Sequence, residues 1–543
     1  MSVRKIADRL LAELAPVDPV AAEALGREPD SLLPALSPAD FDTRRSARER
    51  ALRGVRAVPT PATDERVLAA ALTERLSSEI ALDDAGFTRA LLAPLATPVH
   101  EVRAVFDNLP HETPEQWARV GAHLAQVPVA LADYADTLRA AAADGHVVAA
   151  RQVLAVAAQC EAWTGADDFY RRLVAAAPSQ PGLAAGADAA TEATARFAGF
   201  LRTELLPSAP ERDAVGRERY TVTARAFLGE DVDLDETYAF GWDELARLTA
   251  EMRAVAADLG ADSIEQAAAA LDADPAQRLA PDALAGWLQA RVDEVTDAVD
   301  GVHFELPPIA RRAECRISAA TSGVMYYAQP DAAFARPGRI WWSPPAGGAP
   351  SYAWREVTTV HHEGVPGHHL QITVAMAEPE LHPWQRSMAH VHGYVEGWAH
   401  YAERLSDELG LLRTPGERLG MLYGQRWRAA RIVIDLGLHL GLPIPAGNGF
   451  TVESTWTPEL GAAVLRAASG TDEASARFEV DRYFGWPAQA LSFRVGARLW
   501  RQVREAAERR PGFDRREFHM RALRLGPMGL GPLRDVLIGA DDD

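Results

Sequence analysis

Cysteine is nearly absent from this 543-residue chain: only Cys160 and Cys315 occur, far apart and without nearby partners. That argues against a disulfide framework and against a cysteine-based metal site. Long apolar runs are missing too. No stretch reaches the ~18 consecutive apolar residues of a membrane span. The N-terminal MSVRKIADRLLAELAPVDP mixes apolar and charged positions in helical rhythm, so it lacks the continuous apolar core of a signal peptide. Basic residues are outnumbered, 56 Lys and Arg against 76 Asp and Glu, giving a net charge of -20. Binding to nucleic acid needs clustered Lys and Arg to displace counterions, so such a partner is not expected, nor is a membrane. A cytoplasmic protein is the simplest expectation. Its acidity serves solubility and mildly favours cationic or neutral substrates.

What is present is a globular composition, 48% hydrophobic, long enough to bury a large core. Residues 1–215 are rich in Ala, Leu, Glu and Arg at helical spacing, with breaks near Pro59–Pro61, Pro94–Pro98 and Ser179–Pro181, and read as a stack of helices. No period repeats, so a solenoid is not expected. Residues 216–543 read as the catalytic region. Within them, Phe304 to Pro344 mixes turn residues with short β-branched and aromatic runs, which predicts a small sheet. Further helices are expected around 384–409, 415–441, 457–469, 472–484, 487–509 and 513–525. The fold class predicted is mainly α, a large helical fold with a small β-sheet beside the metal helix.

The densest chemistry is HHEGVPGHHLQ, His361 to Gln371. Eight of the fifteen histidines fall between 361 and 400. In an HExxH zinc helix two histidines one turn apart bind the ion and the Glu stands beside the open position. Here His362 and Glu363 supply the first half, but Pro366 occupies the place of the second ligand. On an undistorted helix His362 and His369 would stand about 10 Å apart along the axis, too far for one ion. Pro366 and Gly367 therefore predict a bulge or kink that brings His368 under His362. His368 is preferred to His369 because Gly-His, an apolar residue and Leu is how the second half of HExGH helices reads. A following helix, YVEGWAHYAERL, places Glu396, His400 and Glu403 near one face, and Glu396 is the expected third ligand.

These residues resemble a bacterial family catalogued as domain of unknown function 885, with its signature HExxPGHHLQ followed by EGWAxYAE. The resemblance extends to Arg428–His439 (RAARIVIDLGLH), Glu479–Gly496, Phe518–Leu533 and Asp233–Met252. It is good from about residue 215 onward and weak before. The chain departs from the family at His400 and Met520 and loosely over Ser318–Pro344. The family is similar to mostly helical zinc metallopeptidases, which implies hydrolysis of a peptide or amide bond.

The expected cofactor is one Zn²⁺ per chain, on His362, His368 and Glu396; manganese and cobalt accept the same ligands. Glu363 would be the general base. Tyr483, then His439, would be the second donor to the oxyanion. Tyr327, Arg482 and, more weakly, Arg428 and Arg431 are candidates for substrate contact, with a short peptide or small molecule as substrate. An edge strand just upstream of the metal helix would receive an extended substrate. The competing readings are a metal-dependent hydrolase or lyase of small-molecule biosynthesis and a non-catalytic descendant. The intact Glu363 and both histidine candidates count against the latter.

Overall fold

The computed structural model describes residues 2–29, 33–175, 177, 182–318, 325–331, 334–343 and 350–539. The expected break at Ser179–Pro181 and parts of the Ser318–Pro344 segment lie outside the described residues. The fold is mainly α, with only small sheets. Among the described residues no helix is long and apolar enough to cross a membrane.

The chain divides into two compact units. One comprises Met1–Thr223 with Leu438–Leu440 and Arg477–Pro487; the other takes the rest. The first unit thus runs to Thr223 and takes in two later segments.

Helix starts in the first unit are written in local chemistry. Ser37 and Asp40 form a reciprocal capping box ahead of Pro38–Arg56, and Thr113 and Gln116 do the same ahead of Pro114–Leu124. Proline at the first helical position supplies a pre-set φ where no N–H is missed. The predicted breaks at 59–61 and 94–98 separate Pro38–Arg56, Arg66–Asp84 and Pro98–Asn108. Val127–Ala143, Ala150–Thr164 and Leu183–Phe200 then pack around Tyr134, Val153, Ala187 and Phe197. The Tyr134 ring stacks on Phe197 at 6.2 Å and its hydroxyl donates to the Leu91 carbonyl at 2.5 Å.

In the second unit a three-stranded sheet has its central strand, Gly338–Trp342, paired parallel to Ala313–Ile317 and antiparallel to Tyr326–Ala328. Ile340 and Trp342 point into a core with Leu284, Leu288, Val292 and Val360. Gln289 on the Pro281–Val299 helix clamps one sheet edge, donating to the Ala313 carbonyl and accepting from the Cys315 N–H, each at 2.9 Å.

Two expected helices differ in the structure. The segment 384–409 is split into Pro383–Met388 and His392–Glu408, because Ala389 leaves the helical region at φ -80, ψ 56. The metal helix is not bulged but ended: Ala353–Glu363 stops, and His368–Ala377 begins anew.

Candidate metal centre

The interruption between those two helices builds the site. Gly364 and Gly367 both have ψ near -130, which a helix cannot continue through. Gly367 passes so close to the preceding turn that a Cβ on it would lie 1.9 Å from the His362 carbonyl oxygen, so no other residue fits there. The second helix restarts with the His369 N–H on the Gly364 carbonyl at 3.1 Å. Trp398, on His392–Glu408, donates its indole N–H to the Pro366 carbonyl at 2.8 Å, which fixes the interruption against the helix that carries Glu396.

That helix is itself drawn close to Ser492–Glu508. A Cβ on Gly397 would meet Gly496 at 2.7 Å, and one on Gly496 would meet the Gly393 carbonyl oxygen at 2.7 Å. The close crossing seats Phe493 parallel to the His362 ring, 6.2 Å away, and aims Arg494 at the residues behind His362.

The result is a group formed by His362, His368 and Glu396, whose ligand atoms all lie within 4.8 Å of one another and could hold a metal ion. His362 Nε2 is 3.3 Å and His368 Nε2 3.5 Å from the same oxygen, Glu396 Oε2. Those separations match the edge of a tetrahedron with bonds of 2.0–2.1 Å, about 3.4 Å. The donor set, two imidazoles and a carboxylate, suits a borderline divalent ion. Glu396 Oε2 and Glu363 Oε2 are buried atoms with no hydrogen-bond partner, a costly condition that a bound cation or a substrate-side proton relieves.

Charge points the same way. Burial alone would lower the pKa of His362, but the adjacent carboxylates of Glu396 and Glu403 outweigh it and push the group up to about 10. Burial would raise Glu396, yet His368 and His362 hold it well below the usual carboxylate range, and His400 and His362 do the same for Glu403. The cluster is thus built around a positive charge, which a proton or a metal ion can supply.

Behind His362 runs a chain of contacts that joins residues distant in sequence. Glu403 Oε1 takes the His362 Nδ1 at 2.8 Å, orienting the ring so that Nε2 faces Glu396. Gln425 donates to Glu403 Oε2 at 2.8 Å, Arg494 donates to Gln425 Oε1 at 2.5 Å, and Arg494 pairs with Glu244. A carboxylate behind a ligating histidine fixes its tautomer and raises its basicity. The sequence carries a signal for Glu403 in its spacing, two helical turns beyond Glu396 on the same face, but none for Gln425 or Arg494.

His369 is held elsewhere, with Nε2 on the Ala310 carbonyl at 3.0 Å and Nδ1 on the Tyr327 hydroxyl at 2.9 Å. Tyr327 is therefore tied to His369, next in sequence to the ligand candidate His368. His361 is fully buried and pushed down to about 4 by burial, so it is neutral. Arg428 has no carboxylate partner among the described residues; its guanidinium lies over Trp427 at 4.3 Å and Phe493 at 5.5 Å. Arg431 also lies over Phe493, at 4.2 Å.

Three expected site residues form a cluster of their own in the first unit. Tyr483 and Arg482 both donate to Glu479 Oε2, at 3.0 and 2.7 Å. The His439 ring takes the Val215 N–H at Nδ1, 3.3 Å, and faces the Tyr483 carbonyl with Nε2 at 3.1 Å. Burial pushes its pKa to about 4, so the ring is neutral.

A profile of the family described as a bacterial protein of unknown function, DUF885, matches residues 19–537. The chain belongs to this family. The match reaches far upstream of residue 215, where the resemblance legible in the sequence fades. Among solved structures, one provisionally named a lipoprotein, from Colwellia psychrerythraea, is similar with a TM-score of 0.84 at 19% identity, covering 99% of this chain and 98% of that one. A second, provisionally named a lipoprotein of unknown function, from Shewanella oneidensis, gives 0.72 at 16% identity, covering 99% and 100%. At such identities the likeness concerns the DUF885 fold alone. No curated protein matches.

Proposed function

We propose that this chain is a zinc-dependent hydrolase, one ion per chain on His362, His368 and Glu396, that cleaves a peptide or amide bond in a short peptide or peptide-like metabolite. The observation that carries the reading is the convergence of those three side chains within 4.8 Å beside a buried, unpartnered Glu363 oxygen. An ion held there acts as a Lewis acid toward a carbonyl and lowers the pKa of water toward neutrality. Glu363 takes the proton from the attacking water at its carboxylate and returns it to the leaving amine. Glu403 keeps His362 in the tautomer that presents Nε2 to the ion.

Tyr327, whose hydroxyl meets His369, is proposed as a substrate contact. The cytoplasm is the proposed compartment, and cell fractionation tests it against the names carried by the two similar structures.

The experiment is a panel of dipeptides and tripeptides incubated with the wild type and with Glu363→Gln. Cleavage of some members by the wild type, reduced about 10²–10⁴-fold in the variant, is the expected result. If no peptide is cleaved by a protein that holds its metal, the peptidase reading is wrong and a small-molecule substrate takes its place.

A further inference from the structure

Buried arginines of the second unit are anchored by acceptors. Arg494 pairs with Glu244, Arg291 with Glu417 and Arg504 with Glu408, while Arg426 donates to the Ala468 carbonyl at 2.8 Å. Arg428 stands apart. Among the described residues it has no hydrogen-bond or ion-pair partner, and its Nε is a buried atom left unmatched. The residue is half-buried, with its guanidinium over the rings of Trp427 at 4.3 Å and Phe493 at 5.5 Å. Taking a cation partly out of water without a partner costs free energy that a bound anion recovers. The planar fork of a guanidinium matches a carboxylate with two parallel hydrogen bonds.

Two sets of contacts place this cation at the candidate metal centre. Phe493 also lies parallel to the His362 ring at 6.2 Å. The guanidinium is therefore within about 12 Å of that ring, a span covered by a metal-bound carbonyl and up to three residues of extended chain at about 3.3–3.6 Å each. A Cβ on Gly424 would stand 3.8 Å from Arg428 Nη1 and 3.7 Å from Glu403 Oε2, so both groups border the same glycine. Glu403 is committed to His362 and Gln425, at 2.8 Å each, and forms no ion pair with Arg428. The charge of Arg428 is thus left for a ligand.

We propose, resting on the hydrolase reading above, that Arg428 binds the free terminal carboxylate of a peptide substrate, so that the bond cleaved at the ion lies within the last three residues. The enzyme then works from the C-terminus. The guanidinium fixes the end of the chain, and its distance from His362 sets how many residues stand between that end and the carbonyl at the ion. A C-terminal amide brings no charge to the guanidinium and forfeits the charge-assisted pair.

Isothermal titration calorimetry of the full chain carrying Glu363→Gln, with zinc present, tests this without requiring cleavage. The ligands are L-alanyl-L-phenylalanine and its C-terminal amide. Saturable binding of the acid is expected, with the amide about tenfold weaker or more, the difference that one charge-assisted pair supplies. Adding Arg428→Gln is expected to weaken the acid to the level of the amide and to leave the amide and the zinc content unchanged. The comparison of acid with amide is made with Arg428 intact, so it decides even where the variant does not fold. The proposal is overturned if neither ligand binds, if acid and amide bind alike, or if a folded Arg428→Gln protein weakens both equally. Failure of the hydrolase reading shows separately, as an absence of cleavage across the peptide panel.

Discussion

Around His362 the second unit gathers His368, Glu396, Glu403, Gln425 and Arg494 into one connected set of polar contacts. The first unit is organised around a long apolar cluster that includes Leu92, Val120, Leu131, Tyr134, Val153 and Phe197. Burying apolar side chains stabilises a fold at about 25 cal/mol per Å², whatever the protein is for. Burying charged groups costs free energy unless each has a partner, so a dense set of them holds together only as a connected network. The contrast also separates substitutions that remove a site from those that only change how firmly the chain folds.

The largest contrast is between two glycines. Gly367→Ala forces a Cβ to 1.9 Å from the His362 carbonyl oxygen, so the second helix must move and His368 leaves the ligand set. Metal binding is expected to vanish in that variant, as equilibrium dialysis against zinc would show. Retained stoichiometric binding would mean that the interruption does not position His368. The other glycine, Gly199, lies in the first unit and stands at the opposite end of the scale.

Next in size is Glu363→Gln, with turnover reduced about 10²–10⁴-fold while metal content is kept. A parallel loss of metal would make Glu363 a ligand and not a base.

Glu244 sharpens the contrast through pH. Burial would raise its pKa, but Arg247 and Arg494 outweigh that and hold it at about 2 against an ordinary 4.5. Its folded pKa is depressed, so its contribution is present above pH 4.5 and is lost as pH falls through about 2. By linkage that is on the order of 3 kcal/mol. Urea unfolding between pH 4.5 and 2 should therefore show a steeper loss in the wild type than in Glu244→Gln.

Glu403→Gln removes the carboxylate behind His362 and is expected to weaken metal affinity about 10–100-fold, measured by competition with a chelator. No change would reduce Glu403 to a packing role. The smallest effect belongs to the first unit. Gly199 sits in a helix, and a Cβ added to it would meet nothing within 4 Å. Gly199→Ala should therefore stabilise by about 0.5–1 kcal/mol in thermal unfolding and leave metal content untouched.

The helical architecture is readable because amphipathic spacing and capping residues such as Ser37 and Thr113 act locally. His362, His368 and Glu396 are readable because ligand chemistry restricts which residue types can serve. His369 is tied by hydrogen bonds to Ala310 and Tyr327, while His368 stands in the group that could hold an ion. Pro366 and Gly367 announce a departure from the helix but not its kind, an ended helix in place of a bulge, because that depends on Trp398 holding the Pro366 carbonyl from another helix. Contacts of that sort, including Gln425 and Arg494 behind Glu403, join residues far apart in sequence and leave no periodic trace.

The central claim is tested most directly by metal content. Plasma mass spectrometry on the purified wild type, after incubation with zinc, is run beside His362→Ala, His368→Ala, Glu396→Ala and His369→Ala. The account predicts about one zinc per chain, lost in the first three variants and kept in His369→Ala. A wild type that holds no metal would contradict it.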